Sequence, residues 1–334
     1  MTFQPLIALV SGLASGVLLL AAVAGGIAGV LFTLTLTPLP LAIAGLGWGW
    51  LTALGAGVVA AILVAALTVP SGALVHLFLF GLPIAAFSYL TMLHRDAVAP
   101  NGQTYREWYP VGRVATAIAL WSGGVAAVTI PTLGSDLASI QTELRATIDR
   151  FFELQRDSIP DDVAAQMTPE RRDQLAEIML WSLPAATASL LTLISMLNMW
   201  LGAKIVDRSG RSTRPWPDLT MLALPRFAPL VFVGAAVISF IEGLVGLMAT
   251  AFVWAFVVLY ATIGLAILHQ LTRGMPARFL LLAIVYLAVI FFLPTWLLLA
   301  VIGMAEPFSP LRRRTTEATV GPRPPGSGSP PAPT

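Results

Sequence analysis

MTFQPLIALVSGLASGVLLLAAVAGGIAGVLFTLTLTPLPLAIAGLGWGWLTALGAGVVAAILVAALTVPSGALVHLFLFGLPIAAFSYLTMLHR, residues 1–95, holds a single Lys, Arg, Asp or Glu, and it is Arg95 at the very end. A helix needs about 20 apolar residues to cross a bilayer, so the stretch ahead of Arg95 is long enough for about four crossings. Lipid offers the backbone no hydrogen-bond partners, and a spanning segment must satisfy its own N–H and C=O groups as a helix or a closed barrel. The stretch shows no strand-like alternation, which leaves helices.

The same character extends outward from this stretch. Over 334 residues, charged side chains make up 11% and apolar ones 57%, against roughly 25% and 45–50% in soluble domains. The net charge of +2 comes from arginines at the ends of apolar runs. That pattern orients helices in a lipid bilayer and gives no reason to expect nucleic acid as a partner. With no cysteine there is no disulfide framework, thiolate metal site or cysteine nucleophile. Met1 to Pro5 carries no basic residue ahead of the first apolar run, which continues without a small-residue cleavage site, so a removed signal peptide is not expected.

Breakers divide the apolar sequence into runs at about 6–22, 27–46, 51–69, 74–93, 111–130, 178–203, 228–241, 247–271 and 279–302. The prediction is an all-α polytopic bundle of eight or nine spans, the seventh being short enough to merge with its neighbour. Gly25-Gly26 loosens the first junction, Pro38 and Pro40 mark the second, and Pro70-Ser71-Gly72 signals a turn before the fourth. Residues 1–314 read as one transmembrane domain, with 132–177 as a helical loop between spans five and six. Residues 315–334 form a Pro-, Gly- and Ser-rich tail that lacks the means to build a core.

Basic residues set the orientation. Arg95, Arg106 and Arg113 lie in 94–113, Lys204, Arg208, Arg211, Arg214 and Arg226 in 204–226, and Arg273 and Arg278 in 272–279. The positive-inside rule places these loops in the cytoplasm of a bacterial cell, and four preceding spans put the amino terminus there too. The segment 132–177, with ten acidic residues against five arginines, takes the other side by alternation. The last run poses a conflict. A single span would leave Arg312, Arg313 and Arg314 outside, whereas a break at Pro294 into two half-helices would return them inside on a run of about 27 residues, too few for two full crossings. The inside tail is favoured because it obeys the charge rule.

The acidic loop carries its own pattern. Leu137, Ile140, Leu144, Ile148 and Phe151 recur at helical spacing with Asp136, Glu143, Arg145, Asp149 and Arg150 between them, predicting an amphipathic helix. Pro160 breaks it, and Thr168-Pro169-Glu170 marks the start of a helix that continues into the sixth span.

Few side chains are candidates for function. Ala8, Gly12 and Gly16 form a small-residue stripe, read either as internal packing or as a docking face for another membrane subunit. Glu242 is the only carboxylate from Ala228 to Leu271, and a charge at the bilayer centre costs roughly 2.5–3.5 kcal/mol on insertion scales. Sixteen residues beyond Arg226 it stands about 24 Å higher, either in a solvated turn beside Gly243 and Gly246 or in a ligand or proton site. His76 is its natural partner in the second case. Asn198 has the position to hydrogen-bond between helices. Trp48, Trp50, Trp108, Tyr109 and Trp200 fall where interfacial belt residues belong. No H-E-x-x-H, G-x-S-x-G or Walker loop is present, and three scattered histidines make no metal cluster, so neither an enzyme nor a cofactor is expected.

The loop motifs carry a resemblance. Glu107-Trp108-Tyr109-Pro110-Val111-Gly112-Arg113, Asn198 with Leu201-Gly202-Ala203-Lys204, Ser209-Gly210-Arg211, Arg214-Pro215-Trp216-Pro217-Asp218-Leu219 and Leu224-Pro225 resemble the proteobacterial branch of the YybS-like family of bacterial polytopic membrane proteins. Gly264-Leu265, His269 and Arg273-Gly274 resemble it as well, over about residues 5–314. The family tends to end its last span with an acidic, aromatic stretch, where this chain has Glu306-Pro307-Phe308-Ser309-Pro310. The resemblance implies kinship with the S components of energy-coupling factor transporters, helical bundles that capture vitamins and dock a partner through small residues on the first helix. The family has no established activity, so no ligand residues carry over. The expectation is an inner-membrane protein that binds a small molecule near His76, Glu242 and Asn198, with a non-transporting scaffold that recruits partners through its loops as the alternative.

Overall fold

The computed structural model of the chain describes residues 4–24, 27–99, 102–156, 166–215 and 222–306. Its helices are α1 Gln4–Ala24, α2 Ile27–Leu36, α3 Leu39–Trp48, α4 Trp50–Leu67, α5 Pro70–His76, α6 Leu82–Met92, α7 Val111–Thr129, α8 Leu137–Leu154, α9 Pro169–Arg208, α10 Ala228–Ile238, α11 Leu244–Leu271, α12 Arg278–Phe291 and α13 Leu293–Ala305. Strands β1 His94–Val98 and β2 Thr104–Trp108 pair antiparallel, His94 opposite Trp108 and Val98 opposite Thr104. The Gly25-Gly26 pair, Pro160, Trp216 to Leu219 and the tail with Arg312 to Arg314 lie outside the described residues.

Among the described residues six helices are long and apolar enough to cross a membrane, or seven if the bent pair α12 and α13 counts as one span. The expected eight or nine are not matched among these residues. The second run folds as a short apolar helix over Phe32–Trp48 and the seventh ends at Ile238. Each shortening has a local cause. Pro38 has no N–H to give Leu34 O, and Pro40 has none for Leu36 O, so the ladder breaks and Thr37 N turns back to Leu34 O at 3.3 Å. The turn after Ile238, ending at Gly243 with φ 88°, closes the other.

The chain divides into two compact units, residues 1–259 and 260–334. In the first, α1 exposes Leu6, Val10, Leu13 and Val17 and buries Gly12, Ser15 and Gly16. Large apolar side chains facing outward and small or polar ones inward is what a lipid solvent requires. Leu41, Ala42, Ala56, Phe80, Ile84, Ile118 and Ile194 make its core. Between α5 and α6 the chain takes one π-turn, Leu77–Gly81, in which Leu82 N–H reaches back to Leu77 O. Pro83, which cannot donate, follows at the start of α6.

The acidic loop folds as its periodicity predicts. Asp136 caps α8 by accepting from Ser139 N at 2.8 Å, and Ser139 Oγ accepts in return from Asp136 N at 3.1 Å. Ile140, Leu144 and Ile148 bury themselves with Ala176, Leu180 and Leu247. Arg172 pairs with Asp149 at 2.8 Å, and Arg145 pairs with both Asp149 and Asp173. Helix α9, capped by Thr168 with Pro169 in its first turn, runs for 40 residues, about 60 Å. Its amino-terminal turns therefore extend well beyond a hydrocarbon core of about 30 Å.

Within the second unit α12 and α13 meet at a bend of 117°. Pro294 lies in the first turn of α13, and Trp296 Nε1 donates across the bend to Val289 O at 2.8 Å. Each helix is about 20 Å long, short of a full crossing. A Cβ on Gly264 would press on Leu299 O, and one on Gly303 on Tyr260 O. The backbones of α11 and α13 therefore touch there, an approach only small residues permit.

Candidate functional site

The proline-broken junction between α2 and α3 carries the most buried polar chemistry in the first unit. Its sequence, Thr33-Leu34-Thr35-Leu36-Thr37-Pro38, leaves carbonyls in need of donors from other helices. Two arrive. Ser15 of α1 donates its hydroxyl to Thr37 O at 2.8 Å. Asn198 of α9 donates its amide to Thr35 O at 2.7 Å and to its own helix at Ile194 O, also at 2.7 Å. The accepting carbonyls flank Leu36, so α1 and α9 are both tied to the break.

His76 completes the layer. It is the last residue of α5, fully buried, with Nε2 3.0 Å from Ser15 Oγ and its ring edge-on to Phe80 at 5.7 Å. Its Nδ1 has no hydrogen-bond partner, and neither does Asn198 Oδ1. A buried polar atom left unpaired costs free energy, so both atoms mark places where a further polar group would be stabilised.

The expected trio does not assemble. His76 and Asn198 both reach the α2–α3 break, through Thr37 and Thr35 respectively. Glu242 instead sits exposed in the turn between α10 and α11. The small-residue stripe is occupied from within the chain. A Cβ on Gly12 would stand 2.5 Å from Ala56 O, one on Gly16 2.8 Å from the Leu63 side chain, and Ala8 lies against Gly55. All three therefore pack on α4.

Sequence reasoning missed Ser15, Thr35 and Thr37. A signal for Thr35 and Thr37 was present, since hydroxyl residues alternate up to two prolines that free backbone carbonyls; Ser15, 22 residues away from Thr37, carried none. Among the described residues no group of His, Cys, Asp and Glu could hold a metal ion.

Residues 13–306 match the model of DUF2232, described as a predicted membrane protein. The chain belongs to the DUF2232 family. No curated protein and no solved structure matches it. Membership in DUF2232 agrees with the membrane helices and with the coarser part of the motif resemblance, that of a predicted membrane protein family. It carries no ligand, and the reading of the polar layer in this DUF2232 chain rests on the layer's own geometry.

Proposed function

We propose that this DUF2232 protein is a solute-binding component of a membrane transport system, similar in kind to the S components of energy-coupling factor transporters, with its ligand held at the His76 and Asn198 layer. The observation that carries the reading is the fully buried His76, whose Nδ1 stands unpaired next to a helix break. Ionisable residues within membrane segments are rare and usually functional, and transporters build solute sites at broken helices. The π-turn after His76 is a further feature often found at functional sites. The ligand class that suits the layer is small and uncharged, since hydroxyl, amide, imidazole and backbone carbonyl groups line it. Glu242 has no part in it.

A bacterial inner membrane, with the amino terminus and basic loops in the cytoplasm, belongs to the proposal and follows the positive-inside rule. A re-entrant α12–α13 pair returns the tail to the side of Arg273 and Arg278. Mild-detergent purification followed by mass spectrometry of retained small molecules tests the reading. A ligand present with the wild type and lost in His76→Ala supports it. The alternative, a scaffold, draws on the ion-paired α8–α9 hairpin and predicts co-purifying proteins with no ligand-dependent thermal shift.

A further inference from the structure

Among the described residues, Arg113, Arg208, Arg211 and Arg214 have no carboxylate within ion-pair distance, whereas Arg95, Arg145, Arg150 and Arg172 do. Three of these four are set over aromatic rings. Arg211 lies 4.4 Å from the centroid of Trp48, Arg113 5.6 Å from that of Tyr109 and Arg214 5.7 Å from that of Trp108. Arg214 is fixed further by donating to Thr91 O at 2.6 Å and Tyr109 O at 3.0 Å. Burial pushes its guanidinium below the usual arginine value.

Their position in the fold is equally specific. Trp48 closes α3, Thr91 lies in the last turn of α6, Arg113 in the first turn of α7, and Arg208 closes α9. Ends of apolar helices, ringed by Trp and Tyr, are where a bilayer places its headgroups. Contacts to rings and carbonyls hold the guanidiniums in place but leave their positive charge unneutralised. We propose that this arginine cluster binds the headgroup phosphate of an anionic phospholipid. The guanidinium fork matches phosphate oxygens two at a time, and juxtamembrane basic clusters select anionic lipid over zwitterionic.

The test uses the full-length protein in phosphatidylcholine micelles, titrated with dioleoyl phosphatidylglycerol and read by native mass spectrometry. Arg208→Gln alters an exposed side chain, and Arg208→Gln with Arg211→Gln removes two charges. Unfolding temperature in phosphatidylcholine alone checks that each variant folds. Each lost arginine is expected to weaken phosphatidylglycerol retention about five-fold. Arg95→Gln, whose arginine is already paired with Glu107 at 2.6 Å, leaves retention unchanged. Millimolar inorganic phosphate does not displace the lipid. Equal retention of the two lipids, a folded double variant that holds phosphatidylglycerol like the wild type, or displacement by inorganic phosphate would each overturn the proposal, the last by making the cluster a soluble-anion site.

Discussion

Ser15 fixes the tautomer of His76. The serine hydroxyl gives its hydrogen to Thr37 O at 2.8 Å, so the 3.0 Å contact with His76 Nε2 requires the ring to donate. In the neutral ring, Nδ1 is then a lone-pair acceptor, and a bound solute must bring a donor. Ser15→Ala removes both contacts at once and leaves the imidazole N–H and the Thr37 carbonyl short of a partner. The expected cost is about 1–3 kcal/mol, seen as a lower unfolding temperature in detergent. An unchanged temperature would show that the contact contributes nothing.

Gly12 tests the packing of α1. A leucine there would drive its Cβ to 2.5 Å from Ala56 O, and overpacking of this kind costs about 1–3 kcal/mol or more. Gly12→Leu is expected to lose the folded monomer in size-exclusion chromatography, while Leu13→Ala on the exposed face leaves it intact. A well-folded Gly12→Leu protein that had lost only a membrane partner would restore the docking reading of the stripe.

The α8–α9 hairpin has a predictable acid sensitivity. The Arg172 and Arg145 guanidiniums hold the Asp149 carboxyl below its usual 3.8, and the Ser139 N–H does the same for Asp136 at the helix cap. Their stabilisation is complete above that unfolded-state value and fades as pH falls through the lower folded values. Amide exchange over 137–154 should therefore be flat from pH 7 to about 5, once corrected for intrinsic rates, and accelerate below about 4. Asp149→Asn should remove part of the acceleration. Protection that weakened on raising the pH would reverse the sign and refute the assignment.

A reporter fused after Arg314 checks the re-entrant reading of α12 and α13. The 117° bend and the charge rule together predict activity in the cytoplasm. Activity confined to the periplasm would make the pair a single broken span.

Class and punctuation were readable because composition and local breakers decide them. The uncharged first quarter, the prolines at 38 and 40, the α8 periodicity and the Thr168-Pro169 start each act within a few residues of chain. The span count was not, because run length says nothing of where a turn such as that after Ile238 takes hold. The β1–β2 hairpin escaped notice as well. Its ten paired residues are mostly polar and exposed, and cross-strand contacts such as Arg95 with Glu107, together with the Arg214 clamp, stabilise it, while apolar alternation plays no part. The polar layer lay furthest from view. His76 and Ser15 are 61 residues apart, and Asn198 and Thr35 are 163, so only the packed bundle brings them together. Glu242 drew attention as an isolated charge, but it lies exposed in a turn away from the layer.

Whether the His76 layer holds a solute is tested most directly by calorimetric or thermal-shift titration of wild-type and His76→Ala protein with the small molecule recovered from the wild type by mass spectrometry. A solute held at the layer gives saturable, stoichiometric stabilisation of the wild type and none of the folded His76→Ala variant. Equal stabilisation of both proteins, or recovery of no small molecule from a wild type that brings down stoichiometric protein partners, would contradict it.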